Sequence, residues 1–350
     1  MVTIAIVGPG YMGRTHAEAW SNLGYADGIR YVVGRSLRAP FEHAPSARFV
    51  TDFEDVLLDR EVDVVSICTP TPTHADYAIR ALRAGKHVLL EKPIALTIDD
   101  AIAIREAARQ SGRVLMVAHV VRFFAGYELL RQAWESGEVG RVLSARAIRM
   151  LAVPTETAWL LDESQSGGAP VDVAIHDFDQ VNLFLGTPVA VTATRLDPAG
   201  PIETTIEYRD GGIGQVLTYT SAPIGVPFTS ALELIGTRGV ASYRLSAVSA
   251  TEASVTEAGV TGAQGTDVAP SDVNTYRLAN ADGSIATVVT DNQPYTRQVE
   301  YFLSCIASKS EPILSPTDAA IAALEVSLAT RESLASGRRI ELRTRVSAQS

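Results

Sequence analysis

Three side chains near the middle of the chain have types and spacings suited to acid–base chemistry. In SGGAPVDVAIHDFDQVNLFLG, residues 166–186, Asp172, His176 and Asp179 follow one another at i, i+4 and i+7. On an unbroken helix, at about 100° per residue, they share one narrow face. Ile175, Phe178 and Leu185 then form the buried stripe, and Asp177 points elsewhere. A histidine titrates near neutrality and can take a proton from a hydroxyl, while a carboxylate one turn away orients it. The same pattern also fits an ordinary helix in which Asp172 is the cap, His176 a satisfied histidine and Asp179 solvated.

A second constellation lies at the start of the chain. GPGYMG, residues 8–13, follows the apolar run VTIAIVG and opens a helical pattern from about Tyr11 to Leu23. Gly8 serves the tight turn, Gly10 lets a pyrophosphate approach the backbone, and Gly13 permits close helix–strand packing. The helix N-terminus favours the anion. In this strand–turn–helix setting the loop predicts dinucleotide binding. An acid about twenty residues on would hold the ribose 2′-hydroxyl of NAD. The second strand instead ends VVGRSLR, with Arg35, Ser36 and Arg38 and no carboxylate. Arg35 can stack on adenine and pair with a 2′-phosphate, and Ser36 can hydrogen-bond it, so NADP(H) is favoured over NAD(H). EKP, residues 91–93, ends a further strand and aims Lys92 at the nicotinamide end as a cation. Taken alone, such a Lys-Pro is most often a turn.

These residues need a scaffold, and the first third of the chain supplies one. Apolar runs at 2–8, 30–34, 62–68, 86–93 and 113–119 alternate with helical patterns at 74–85 and about 97–111. Continuous Val/Ile/Leu runs mean strands covered on both faces, which is a parallel, doubly wound α/β sheet. After about residue 120 the style changes. Residues 204–220 alternate around Asp210-Gly211-Gly212 as a hairpin, and ALELIG and VASYRL follow as strands. This predicts an α+β domain with an open-faced, mostly antiparallel sheet. Residues 246–271, rich in Ser, Thr, Ala and Gly, read as loop-rich hairpins. Two helices follow near 294–308 and 316–336, the second between Pro316 and Gly337. The expected organisation is a first domain over 1–120 and a second over 121–350, with the last helix packing back on the first.

Bulk properties narrow the class. With 350 residues, 46% hydrophobic and 20% charged, the chain is ordinary for a globular protein of two domains. Its net charge of −10 argues against nucleic acid or an anionic membrane as main partner. Cys68 and Cys305 form no disulfide or metal-ligand pattern, no metal is expected, and Cys68 reads as a small core residue. No secretory signal and no run near 18 apolar residues is visible, so the expected compartment is the cytoplasm.

With these motifs in hand, the chain resembles the glucose–fructose oxidoreductase / inositol dehydrogenase (Gfo/Idh/MocA) family over nearly its whole length. GPGYMGRTHAEAW matches the family's glycine loop, and TPTPTHADYAIRALRAGKHVLLEKPIA (69–95) its most distinctive block. RFFAGYELLRQAWESGEVG (122–140) and WLLDESQSGGAPVDVAIHDFDQVNLFLG (159–186) match two later signatures. Ser166 stands where the first of three glycines is usual, and Leu160 where an Arg is common. The resemblance implies an N-terminal Rossmann domain and a catalytic set of Lys92, Asp172 and His176. It implies cofactor contacts from Gly8, Gly10, Tyr11, Met12, Gly13, Thr69, Pro70, His74, Glu91 and Lys92, and substrate contacts from Arg122, Trp159 and Asp179. IHDFD is most similar to the inositol dehydrogenase branch. The implied activity is oxidation of a secondary alcohol on a sugar or cyclitol, or the reverse, by a homodimer or homotetramer. Two alternatives stand beside it: a reductase of a nucleotide-linked sugar or another carbonyl or imine, and a non-catalytic regulator of the same fold. Retention of Lys92, Asp172 and His176 together favours an enzyme.

Overall fold

A strand that is apolar at every position can be stable only if both its faces are covered. The computed structural model, which describes residues 2–36, 40–152, 162–223, 225–247, 274–290 and 293–342, folds the apolar runs in that way. β1 (Ile4–Val7), β2 (Ile29–Val33), β3 (Arg48–Val50), β4 (Val64–Ile67), β5 (His87–Glu91) and β6 (Leu115–Ala118) form one parallel sheet of order β3-β2-β1-β4-β5-β6. Between them run α1 (Tyr11–Asn22), α2 (Glu54–Leu58), α3 (His74–Arg83) and α4 (Ile98–Ser111). Thr97 caps α4 by accepting the Asp100 amide. The sequence reading contains neither β3 nor α2, which are too short to establish a period.

Two compact units divide the chain: Met1–Phe123 with Ser164–Ser166 and Gln293–Leu324, and Phe124–Glu163 with Gly167–Asn292 and Glu325–Ser350. In the first, the helix Pro294–Ser308 packs against α1. Its Val299 and Phe302 join Trp20, Ile4, Ile6, Ile29 and Leu89 in one buried cluster. Strand order reverses between β1 and β4, so the loops leaving their C-terminal ends diverge and open a crevice for a ligand.

The second unit begins with α5 (Ala125–Glu135) and carries a nine-stranded sheet. Its strands are β7 (Val142–Met150), β8 (Pro188–Thr194), β9 (Ile202–Tyr208), β10 (Ile213–Tyr219), β11 (Phe228–Gly236), β12 (Gly239–Ala247), β13 (Thr275–Asn280), β14 (Gly283–Val288) and β15 (Ile340–Glu341). The order is β14-β13-β12-β11-β7-β10-β9-β8-β15, antiparallel except for the β7–β10 pair. The helix Ile175–Leu185 lies on β7 and β10. On β7 the small Ala145 and Ala147 are buried, which lets a helix approach closely. Ile175, Phe178 and Val181 of that helix are fully buried, each contributing roughly 1.5–3 kcal/mol. Opposite them, register aligns Ile213, Ser144, Ile235 and Val240 in one row across four strands, and Gln215, Arg146 and Glu233 in the next.

From residue 248 onward the expected loop-rich stretch 246–271 lies outside the described residues, as do Arg38, Trp159 and Leu160. No described helix is long and apolar enough to cross a membrane.

Candidate active site

The glycine loop leaves β1 with Gly8 at φ +105°, a conformation that side chains rarely adopt. A Cβ at Gly8 would lie 2.4 Å from the Cys68 carbonyl oxygen, and one at Gly13 only 1.9 Å from the Gly8 oxygen. Neither position tolerates a side chain, because the turn, the helix and β4 close on one another there. At Gly10 a Cβ would meet nothing within 4 Å. This is the opening a pyrophosphate needs, and it faces the start of α1. That helix has Gly10 as N-cap, no capping side chain and no acid in its first turn. The first N–H groups of a helix have no intrahelical acceptor, so a partial positive charge remains for an anion. Tyr11 stands 81% exposed at the mouth, and Met12 is half-buried. The residues present therefore fit a dinucleotide. At the end of β2 a Cβ on Gly34 would fall 2.5 Å from Pro9, and Arg35 and Ser36 beyond it are exposed.

Three further strand ends meet the same edge. His74, buried at the start of α3, places Nε2 2.9 Å from the Thr69 carbonyl and Nδ1 2.8 Å from the Pro93 carbonyl. Burial holds the His74 pKa below its ordinary value against the upward pull of the two carbonyls and Glu91, so the neutral ring donates to one carbonyl and contacts the other. The ring thus ties the loop bearing Thr69 and Pro70 to the loop bearing Lys92. Glu91, which the resemblance places along the cofactor, ends β5. Its carboxylate is buried, with Oε1 2.9 Å from His16 Nε2 and Oε2 accepting the Lys92 amide. His16 Nδ1 lies 2.7 Å from Ser66 Oγ. Burial works against a charged His16, but contacts with Cys68 and Glu91 outweigh it and push its pKa up to about 10. Glu91 is held below its ordinary value despite burial, by His16 and Lys92. Glu91 is thus a support beneath Lys92. Lys92 itself is half-buried, as is Cys68, which the sequence reading placed in the core. Arg122 Nη1 donates to the Leu314 carbonyl at 2.9 Å, so one arm serves the fold of its own unit.

In the second unit the expected single helix is broken. Gly167 and Gly168 take φ +79° and +81°, and a one-turn helix, Ala169–Asp172, follows with Pro170 in its first turn. The Val173 and Ala174 amides both bond the Ala169 carbonyl, which widens the path, and the chain restarts with Ala174 as N-cap of Ile175–Leu185. Asp172 therefore closes the first piece and caps neither, while His176 and Asp179 share the second. Asp172 and His176 are half-buried. Asp179 is 1% exposed, with Gln180 Nε2 3.4 Å from its Oδ2.

Asp177, which the sequence reading pointed away from the chemistry, is 0% exposed and faces Arg149 of β7. Arg149 Nε and Nη2 donate to its two oxygens at 2.7 and 2.9 Å. Burial pushes the Asp177 carboxyl up against the downward pull of Arg149, and it disfavours the Arg149 charge, which Asp177 and Tyr127 restore. Tyr127, pushed up to about 12 by burial, feels the nearby Arg149 charge and lies 2.8 Å from Ser230 Oγ through its hydroxyl. No sequence signal marked this set beyond a cation on a strand whose alternate positions are alanine. Among the described residues no group of three His, Cys, Asp or Glu could hold a metal ion.

Comparison with known proteins agrees with this geometry. Residues 2–119 match the oxidoreductase family with an NAD-binding Rossmann fold, and residues 127–242 match the GFO/IDH/MocA C-terminal domain. A 1,5-anhydro-D-fructose reductase of Ensifer adhaerens is 30% identical over 300 residues, 84% of each chain. A scyllo-inositol 2-dehydrogenase (NAD(+)) of Bacillus subtilis (strain 168) is 26% identical, with 97% of this chain and 96% of that one covered. A solved structure of GenD2 from gentamicin A biosynthesis, in complex with NAD, has a TM-score of 0.78 at 28% identity, covering 98% of this chain and 97% of that one. Since each half matches separately and a relative of this similarity spans most of both chains, the protein belongs to the Gfo/Idh/MocA oxidoreductase family.

Proposed function

We propose that this protein oxidises a secondary alcohol of a sugar or cyclitol, or reduces the corresponding ketone, with a preference for NADP(H). The nicotinamide, when bound, supplies the hydride acceptor or donor. In the oxidative direction His176 takes the hydroxyl proton on its imidazole, and Asp172 orients that ring or the substrate. The Lys92 ammonium donates a hydrogen bond to the reacting oxygen and stabilises the negative charge that develops there. Arg122 and Trp159 hold neighbouring hydroxyls; Asp179, only 1% exposed, is not asked to meet the substrate. The observation that carries this reading is one of exposure. Lys92, Asp172 and His176 are each half-buried, whereas the adjacent Glu91 and Asp177 are buried and paired. Reacting groups must meet a substrate; a regulator would need the glycine cradle alone. The reductase, dehydrogenase and NAD complex named above support the same chemistry. Incubating the purified protein with NAD⁺ or NADP⁺ and a panel of cyclitols and aldoses tests it, with reduced-cofactor absorbance as readout. No reduction with any polyol, and no oxidation of NADPH or NADH by the ketones, rejects it.

The cofactor preference rests on Arg35 and Ser36, exposed at the end of β2, and on the absence of an acid in residues 29–36. Arg35→Ala is expected to weaken NADP⁺ binding roughly 10- to 100-fold, the loss of a charge-assisted hydrogen bond, and NAD⁺ binding far less. Titration calorimetry with both cofactors decides. An equal loss for both assigns Arg35 to adenine stacking, and a wild-type protein favouring NAD⁺ tenfold removes the preference.

The same reading includes a homo-oligomer. The sheet face opposite the helix Ile175–Leu185 exposes Ile213 (46%) and Val240 (38%) in one row beside the Gln215–Arg146–Glu233 row. A broad, partly apolar sheet face of this kind is commonly covered by a second copy. Light scattering at micromolar concentration should give a dimer or tetramer, and a monomer rejects the assignment.

A further inference from the structure

Adjacent residues in one turn of the helix Ile175–Leu185 have opposite environments: His176 is half-buried, and Asp177 is wholly enclosed. Apolar contacts from Ile175, Phe178 and Val181 set how close this helix lies to the sheet. Such contacts are non-directional, and they limit sliding or rotation along the sheet only weakly. The Arg149–Asp177 fork is directional. Both carboxylate oxygens are held, at 2.7 and 2.9 Å, by two nitrogens of a planar guanidinium, so turning the helix breaks two bonds together. Arg149 is itself placed by the sheet: it lies on β7, between β10 and β11, near Tyr127, whose hydroxyl reaches Ser230 of β11.

Burying two ions costs several kcal/mol, and well-packed apolar residues of similar volume often serve stability as well or better. Ala145 and Ala147, at the alternate positions of the same strand, show that this face of β7 is otherwise apolar. Stability alone therefore gives no reason for the pair. Position does. A reacting group displaced by about 1 Å can lose on the order of a hundredfold in rate, and useful sites hold their groups within about 0.5 Å.

We propose that Arg149 and Asp177 are positioning residues for His176, their buried fork setting the rotation of the helix on the sheet and hence the direction of the imidazole. This rests on the reading of His176 as proton acceptor.

The test is a double-mutant cycle on the full-length protein. Arg149→Lys keeps the charge and removes the planar fork. It is expected to lower kcat roughly 10- to 100-fold, with KM and cofactor dissociation constant unchanged. In a His176→Ala background, assayed at high enzyme concentration, Arg149→Lys should have no further effect beyond about twofold, because its influence passes through His176. An unchanged kcat in the single variant overturns the proposal. So does an equal loss in both backgrounds, since damage that does not act through His176 multiplies. Should Arg149→Lys not fold, the paired change Arg149→Met with Asp177→Leu removes both charges together, and the same cycle is run on it with the same two criteria. Failure of the underlying reading is distinguishable: His176→Ala alone then turns over normally.

Discussion

Replacing His176 by alanine should lower the oxidation rate by roughly 10²–10⁴-fold, the range for a positioned acid–base group. Cofactor affinity should stay within about twofold, because the residues proposed to cradle the dinucleotide all lie on the loops that follow β1, β2, β4 and β5. Stability should change little, since His176 sits half-buried in the first turn of its helix while Ile175, Phe178 and Val181 make the core contacts. Asp172→Asn should fall between wild type and His176→Ala: an amide still hydrogen-bonds but cannot stabilise an imidazolium. A purely structural role for Asp172 predicts a different outcome, a loss of about 1 kcal/mol of stability with turnover of the folded fraction intact. The break at residues 173–174 weakens that alternative in advance, because Ala174 and not Asp172 occupies the cap. Rate and melting temperature measured on the same variants separate the two. Normal turnover in folded His176→Ala removes this residue from the mechanism.

Lys92→Met should lower kcat by about 10²–10³-fold, as expected when a donor to a developing oxyanion is removed. Methionine keeps an unbranched stem like that of lysine and lacks the ammonium, so the loss isolates the charge and its hydrogen bonds. The backbone at this position is secured independently: Glu91 accepts the Lys92 amide, His16 anchors Glu91, and His74 bonds the Pro93 carbonyl. The melting temperature should therefore move by no more than a few degrees. A modest weakening of cofactor binding is expected as well if, as proposed, the ammonium faces the nicotinamide. If single-turnover kinetics give a rate within twofold of wild type, Lys92 does not act on the reacting oxygen.

Much of this was legible in the residues, for reasons that differ from one element to the next. The five apolar runs of the first third announce a parallel sheet because burial on both faces leaves no polar alternation. GPGYMG could be placed because a strand, a turn and a helix leave few ways to arrange three glycines; the 1.9 Å approach at Gly13 is the close packing expected there, and Gly10 has open space around it. The His176 helix was misjudged at its start. Periodicity over 172, 176 and 179 assumes an unbroken path, and it carries no information about the widened turn after Ala169. Asp177 points away from that face as expected, toward Arg149, but its partner is not legible in the sequence. A helical wheel gives a direction but does not say what waits there, and Arg149 lies 28 residues earlier on another element. His16 and Ser66 were invisible in the same way, because a buried polar network joins residues that are distant in sequence. Glu91, whose cofactor contact only the resemblance implies, turns its carboxylate to His16 because consecutive residues at a strand end point to opposite sides.

The central claim is that hydride moves directly between the nicotinamide and a carbinol carbon while the protein handles only the proton. The polyol that gives the fastest cofactor reduction, deuterated at the reacting carbon, tests this most directly. Mass spectrometry of the reduced cofactor should find one deuterium per turnover, and the rate of the chemical step should slow several-fold relative to the unlabelled compound. Deuterium recovered in solvent, with unlabelled reduced cofactor, would contradict the account.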